Sequence, residues 1–503
     1  MWGPIADLME AFNTMTVRPL LRRFAPYLYL FVVAILATGV HMAKYTVMSP
    51  IDELRHVDYA MRVTKGHFPK LGDKLTQEAM REEACRGVDL PVTEPKCATK
   101  VFDPLEFRDD GWQTATAHPP TYYLGAGLFG RVAEGVGIAD SFLVGARAFS
   151  ALLLAAGLMV AFAAGRAAGM RASPLLAALT LLPVFPAVIH AHSTVNPDAT
   201  AILAGAVVML VGLLWERGRL PLWTLALAGA FAAGTKYTSL LAVLMMTAVF
   251  VVRAEPIELW ATWRAARRQR GSETGAESAL EAESAPEAES APEAESAREP
   301  VLVAVAADVD PPEVRSRLDY VKAAAVLLGA ALVVALVWMM VDRLRATIDP
   351  SIVPQNQLLA SHGIPPLETF ISPRQLFAWL PPVDSYDTPR FFSPYVEDVR
   401  TIATYLFVGA VLMAALRINR RDRISLFGGF GVAASLLGAP AFIAFTVVVS
   451  RVVIDAPARY GMSLLPFMAA VVASFVKNRV GGVLLWVFAL TSYSVFVGTM
   501  LAR

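Results

Sequence analysis

The chain has 503 residues, 56% of them hydrophobic and only 17% charged, with a formal net charge of +1. A soluble protein of this length would carry about 25% charged residues, so the composition excludes an ordinary globular enzyme and points to an all-α polytopic membrane protein. The near-zero charge excludes a strongly basic surface of the kind that gathers nucleic acid.

Residues 1–25 read as a cytoplasmic N-terminus carrying Arg18, Arg22 and Arg23. The apolar stretch from Pro26 to Met48 is long enough to cross a bilayer, which takes about 20 residues. It has no small-residue cleavage site and exceeds a signal h-region, so it reads as a retained first helix. Directly after it comes Ser49-Pro50-Ile51-Asp52-Glu53-Leu54-Arg55-His56, an acidic pair where lipid meets water. Carboxylates placed there can face a lipid-borne substrate from one side and a water-borne one from the other.

Residues 48–145 form a long polar outer loop that holds the chain's two cysteines, Cys85 and Cys97. With the loop outside, a disulfide between them is expected, because oxidising compartments keep such bonds; it would stabilise a short loop by roughly 3 kcal/mol. Within the loop, His118-Pro119-Pro120-Thr121-Tyr122-Tyr123 opens an apolar piece reaching Val132. Pro suits the first turn of a helix, and this piece is read as a helix lying along the outer interface. Counting it as a crossing would invert every later loop.

Further crossings are expected near 146–165, 174–191, 198–215, 221–234, 238–252, 320–341, 401–416, 425–449, 460–476 and 481–500. With the first helix near 26–47 they make about eleven; those near 221–234 and 238–252 are short for a full span and join at Gly234-Thr235-Lys236-Tyr237, a tight turn at membrane depth, which leaves the count open by about two. Lys and Arg favour the cytoplasmic side of short loops. The basic connections at 166–171, 216–219, 253–270, 417–423 and 477–479, together with the N-terminus, all become cytoplasmic under this one assignment. Residues 26–252 then form a catalytic transmembrane module. Residues 253–317 form a cytoplasmic insert, whose acidic Glu-Ala-Glu-Ser-Ala-Pro repeat (273–299) is expected to be disordered. Residues 318–503 form C-terminal helices with a second outer loop, 342–400. All seven histidines (His41, His56, His67, His118, His190, His192 and His362) fall outside or at the outer face.

Four further constellations share that face with Asp52 and Glu53: His118 through Tyr122 and Tyr123; Asn196-Pro197-Asp198; Lys236-Tyr237; and Arg459-Tyr460. Charged groups beside apolar runs are expensive and often functional. Each also has a plainer reading. Asp198 would serve as a helix cap, Lys236 would snorkel to the interface, Arg459 would anchor it, and His118 with its two prolines would simply start a helix.

Taken in order, the acidic pair after the first helix, Pro-Pro-x-Tyr-Tyr, Asn-Pro-Asp, a Lys at the next outer turn and a late Arg-Tyr resemble the GT-C glycosyltransferases. Among them the pattern is similar to bacterial polytopic proteins of unknown function with a Pro-Asp-Glu-x-x-His start. It is more loosely similar to the lipid A aminoarabinose transferase and the protein O-mannosyltransferases. The likeness covers most of residues 26–260 and returns at 455–475. Two positions depart from the pattern. Ile51 separates Pro50 from Asp52, which leaves both acids open as the base, and the family's Lys-Gly-Pro turn reads Lys236-Tyr237-Thr238.

The resemblance implies a GT-C-like bundle with extracytoplasmic juxtamembrane helices in a bacterial cytoplasmic membrane. It also implies a polyprenyl-phosphate sugar donor and a glycan or glycolipid acceptor. Asp52 would be the general base, with Glu53 as runner-up. Lys236, Arg459 and Tyr460 would bind the donor phosphate. His56, His118, Tyr122, Tyr123, Asn196 and Asp198 would orient sugar and acceptor. No cofactor is firmly implied. Asp52, His56, His192 and Asp198 are ligand types that leave a divalent cation open, although no compact ligand spacing occurs. Two other classes stay in view: a transporter or flippase of lipid-linked sugars, which would favour inverted repeats and broken helices, and a polysaccharide polymerase or ligase working through Arg374 and Arg390 in the late loop.

Overall fold

The computed structural model describes residues 17–91, 95–255, 315–348, 360–362, 378–381, 394–450, 452–454 and 456–502. The acidic repeat, Arg374 and Arg390 lie outside the described residues. In chain order the helices are α1 (Val17–Lys44), α2 (Glu53–Val63), α3 (Gln77–Arg86), α4 (Thr121–Gly135), α5 (Phe142–Ala167), α6 (Ala172–Thr180), α7 (Pro186–Ser193) and α8 (Ala201–Glu216). They continue as α9 (Trp223–Thr235), α10 (Leu240–Ala254), α11 (Arg317–Arg345), α12 (Pro394–Ala415), α13 (Arg423–Ser450), α14 (Leu465–Phe475) and α15 (Arg479–Ala502). A three-residue antiparallel ladder, Ala360–His362 with Val452–Ile454, is the only strand pairing among the described residues outside isolated bridges.

Among the described residues, nine helices are long and apolar enough to cross a membrane, and one bent pair would make a tenth. The protein is therefore a polytopic membrane protein. Two expectations need correction, and a third helix is as short as its sequence suggests. The first helix begins at Val17 rather than near residue 26. The crossing expected at 174–191 is two helices bent by 70°, because Pro183 and Pro186 each lack the N–H that a continuous helix needs there. The piece Trp223–Thr235 has 13 residues, about 20 Å at 1.5 Å per residue, and stops where Lys236 turns into extended backbone.

The bundle has a centre and a periphery. In the spans Pro197–Glu216 and Ala458–Phe475, 72% and 78% of the apolar window is buried, against 22% in Arg317–Arg345 and Arg479–Ala502. Lipid tails are as apolar as leucine, so central packing rests on close fit and small residues. Gly205 of α8 shows this: a Cβ there would collide with the Ser463 carbonyl. Gly127 of α4 likewise lets that helix close on the Ala60 carbonyl of α2.

The two ends of the bundle differ in chemistry. One end is basic and tied together: Arg423 and Arg253 reach the buried Glu216 at 2.6 and 3.7 Å, and Arg171 donates to the Lys477 carbonyl. At the other end α1 hands over to α2, α3, α4 and the loop between them. Cys85 and Cys97 are joined there by a disulfide. Helix α4 buries Tyr122, Tyr123, Ala126 and Gly130 and leaves Leu124, Leu128 and Val132 exposed as an apolar stripe at four-residue spacing.

Candidate functional site

The acidic pair splits. Asp52 precedes α2 in the left-handed region (φ 58°) and keeps 33% of its side chain exposed. Glu53 opens α2 fully buried. Its carboxylate takes two hydrogen bonds from Arg147 of α5, at 2.8 and 2.7 Å, and one each from the backbone N–H of Ser49 and Val195. Arg147 also donates to the carbonyls of Tyr45 and Val47. Glu53 therefore fastens α5, the 45–49 turn and the strand-like stretch after α7 to one another, with its acceptor capacity filled.

Asp52 faces Arg55 at 3.3 Å. The Arg55 guanidinium, itself buried, also pairs with Asp109 and donates to the Arg108 carbonyl at 3.0 Å. Asp109 and Asp110 both adopt φ of 51°. Non-glycine residues held in the left-handed region cost energy and cluster at sites where geometry matters. Two such aspartates, Asp52 and Asp109, meet the Arg55 guanidinium, while the Asp110 carbonyl accepts from Lys74 at 2.7 Å.

Above this lies an aromatic and imidazole layer from α2 and α4. Tyr123 shares a 2.9 Å hydrogen bond with His56 Nδ1 and stacks on Tyr59 at 3.9 Å. His118 sits 5.6 Å from the His56 ring. Tyr122 bonds Ser150 of α5 at 2.8 Å and accepts from the Asn196 N–H at 2.9 Å, linking α4 to the next group.

That group is built on Asp198. Asn196, not Asp198, caps the short 3-10 turn Pro197–Thr200, accepting from the Asp198 N–H at 2.9 Å. The fully buried Asp198 carboxylate is thereby left for two cations: Lys236 at 2.5 Å and Arg459 at 3.1 Å. Lys236 comes from the break after α9 and is 95% buried rather than snorkelled, its side chain retaining 5% exposure. Arg459 comes from the 3-10 segment Ala458–Leu464, which the Gly205 contact seats against α8. The Tyr460 ring lies 4.8 Å from the Lys236 ammonium and 5.3 Å from the Arg459 guanidinium.

Asp52 lies within electrostatic reach of His118, Lys236 and Tyr460, so the five sequence constellations converge on one volume. Burial, aided by the charge on Lys236, pushes the His118 imidazole down to about 3, against the opposing pull of Asp198 and Asp52. Burial and the neighbouring His118 also push His56 well below its ordinary range. Both rings are neutral at pH 7. Among the described residues no three of His, Cys, Asp and Glu converge as a metal site; His192 turns its Nδ1 to the Val188 carbonyl at 2.7 Å. A second buried His group, His41 and His190, bonds Ser193 and Ser49 at 2.8 and 2.9 Å.

The arrangement holds one accessible carboxylate, two cations gathered on a third acid, and neutral imidazoles. Sequence reasoning missed Arg147, Arg55 and Asp109. Arg147 left a signal, a lone arginine inside the apolar run of α5. Asp109 left none, lying in a loop without periodicity. No family model matches the chain, and no curated protein or solved structure matches it.

Proposed function

We propose that the protein is a GT-C-type membrane glycosyltransferase that moves a sugar from a polyprenyl-phosphate donor to a cell-envelope glycan or lipid. By the positive-inside rule, the basic end faces the cytoplasm and the site faces the extracytoplasmic side of a bacterial cytoplasmic membrane.

The observation that carries this reading is Asp198 gathering Lys236 and Arg459 within electrostatic reach of Asp52. In the reaction, the acceptor hydroxyl oxygen bonds the anomeric carbon while the bond from that carbon to the phosphate oxygen breaks. The hydroxyl proton goes to Asp52, and the electron pair goes to the departing lipid phosphate. A general base must lie close to the proton it removes, and Asp52 is the accessible acid of the pair. Phosphate needs no acid to leave, only positive charge where negative charge grows. Lys236 has three N–H donors, one of which is engaged with Asp198. Arg459 offers a forked grip. The single displacement inverts the anomeric centre.

A second reading is favoured by the 70° bend between α6 and α7 and the break at Lys236. Broken helices carrying charge also mark transporters, and here the cargo would be a lipid-linked sugar.

The test incubates purified wild type and Asp52→Asn with radiolabelled polyprenyl-phosphate arabinose, mannose and glucose plus envelope glycan. Transfer by wild type that disappears in a folded Asp52→Asn, with an inverted product, supports the transferase. Donor binding without transfer to any acceptor favours the transporter, and retention at the anomeric carbon refutes the single displacement.

A further inference from the structure

A polar cavity opens at the opposite end of α2 from Asp52. Its volume is about 660 Å³ and its walls include Lys65, His67, Phe68, Lys70, Asp73 and Arg345, within the range of small-ligand sites. Counting Arg62 and Glu78, which complete the charged lining, four cations face two carboxylates. Both carboxylates are engaged: Glu78 pairs with Lys65 at 2.5 Å and with Arg131, and Asp73 pairs at 3.5 Å with Arg62, which the buried Asp58 already holds at 2.8 Å, so the surplus positive charge rests on Lys70 and Arg345. Lys70 and Arg345 form no ion pair among the described residues. Arg345, at the end of α11, donates to the Phe68 carbonyl, and the Thr347 N–H donates to the Leu71 carbonyl at 2.9 Å. The rim of the cavity is thus held by two distant parts of the chain. Phe68 lines the cavity and is 40% exposed.

We propose that this cavity binds an anionic saccharide segment of the acceptor, a proposal that rests on the transferase reading. A ring exposed beside hydrogen-bonding charges offers a flat apolar face to a sugar, whose own faces are apolar and whose edges are polar. The surplus of ammonium and guanidinium groups selects a carboxylate- or phosphate-bearing sugar over a neutral one. The cavity and Asp52 are separated by the 11 residues of α2, about 16 Å at 1.5 Å per residue. An extended oligosaccharide anchored at Lys70 and Arg345 therefore has length to present its end at Asp52.

The experiment is isothermal titration of the detergent-purified full chain with tetragalacturonic acid, glucose 6-phosphate and neutral maltotetraose, on wild type, Lys70→Ala, Lys70→Glu and Phe68→Leu. The expected result is that at least one anionic probe binds about tenfold or more tighter than maltotetraose, and that Lys70→Ala weakens it about fivefold and Lys70→Glu further, as for charge-assisted contacts. Phe68→Leu weakens the tetrasaccharide more than the monosaccharide. The ratio of the two anionic probes separates a carboxylate-bearing from a phosphate-bearing acceptor. Equal binding of charged and neutral probes, or binding unchanged in both Lys70 variants, overturns the proposal. Titration needs no turnover. Lys70-dependent binding in a chain that transfers nothing refutes the transferase reading alone, and transfer without such binding refutes this one alone.

Discussion

The side chains of Asp52 and Glu53, adjacent in sequence, have opposite environments: Glu53 is fully buried against Arg147, while Asp52 keeps 33% exposure beside Arg55. One backbone turn thus separates a structural clamp from an accessible acid. Glu53→Gln should leave Arg147 buried without its counter-charge, which costs about 3–5 kcal/mol. Asp52→Asn removes a partly exposed partner of Arg55, which keeps Asp109, so stability should fall by no more than about 1 kcal/mol, while sugar transfer is abolished. Thermal unfolding in detergent beside a transfer assay separates the two outcomes; a stable Glu53→Gln would sink the clamp.

Asp198 should behave as a hub. Asp198→Asn strands Lys236 and Arg459 together in a buried setting, with an expected loss of about 3–5 kcal/mol. Lys236→Met on that background should recover part of it. A double-mutant cycle between the two positions should give a coupling of about 0.5–3 kcal/mol; a cycle that closes at zero contradicts the geometry.

Acid should weaken the fold through His118 and His56. Both are neutral in the folded protein and would take a proton near pH 6.5 when unfolded. Above that value neither state binds the proton and stability is flat. As pH falls from about 6.5 towards 3, the unfolded state binds more protons, so His118 alone removes about 1.4 kcal/mol per pH unit. The melting temperature should fall between pH 7 and 5, and His118→Gln should flatten that slope.

Reduction should loosen the outer loop. The Cys85–Cys97 bridge closes a span of 12 positions, worth roughly 3 kcal/mol in chain entropy. Replacing both cysteines with serine should lower stability by about that amount, and dithiothreitol should lower wild type to the same level. A double-serine variant with an unchanged melting curve would contradict it.

Much of the site was legible because its residues are costly where they stand. Asp52, Asp198, Lys236 and Arg459 each interrupt or border an apolar run, and cost marks position without naming partners. That Asn196 takes the capping role, freeing Asp198 for its cations, depends on geometry within three residues that the shared preference of Asn and Asp for caps conceals. The fate of Glu53 depends on Arg147, 94 positions away, and no local pattern encodes such a pairing. The length of the apolar runs located helices long and apolar enough to cross a membrane at nine of the eleven expected places among the described residues. It overlooked the bend between α6 and α7, though Pro183 and Pro186 announce it, because overall hydropathy runs through the break without a dip.

The shortness of α9 sets the depth of the site. A helix of about 20 Å is shorter than a hydrocarbon layer of about 30 Å, so its end lies within the depth of that layer, packed inside the protein. Lys236 marks that end. On the proposed function, the phosphate of a lipid-borne donor must reach below the headgroup plane to meet these cations, so thicker-chain lipids should raise the barrier for entry and thinner ones lower it.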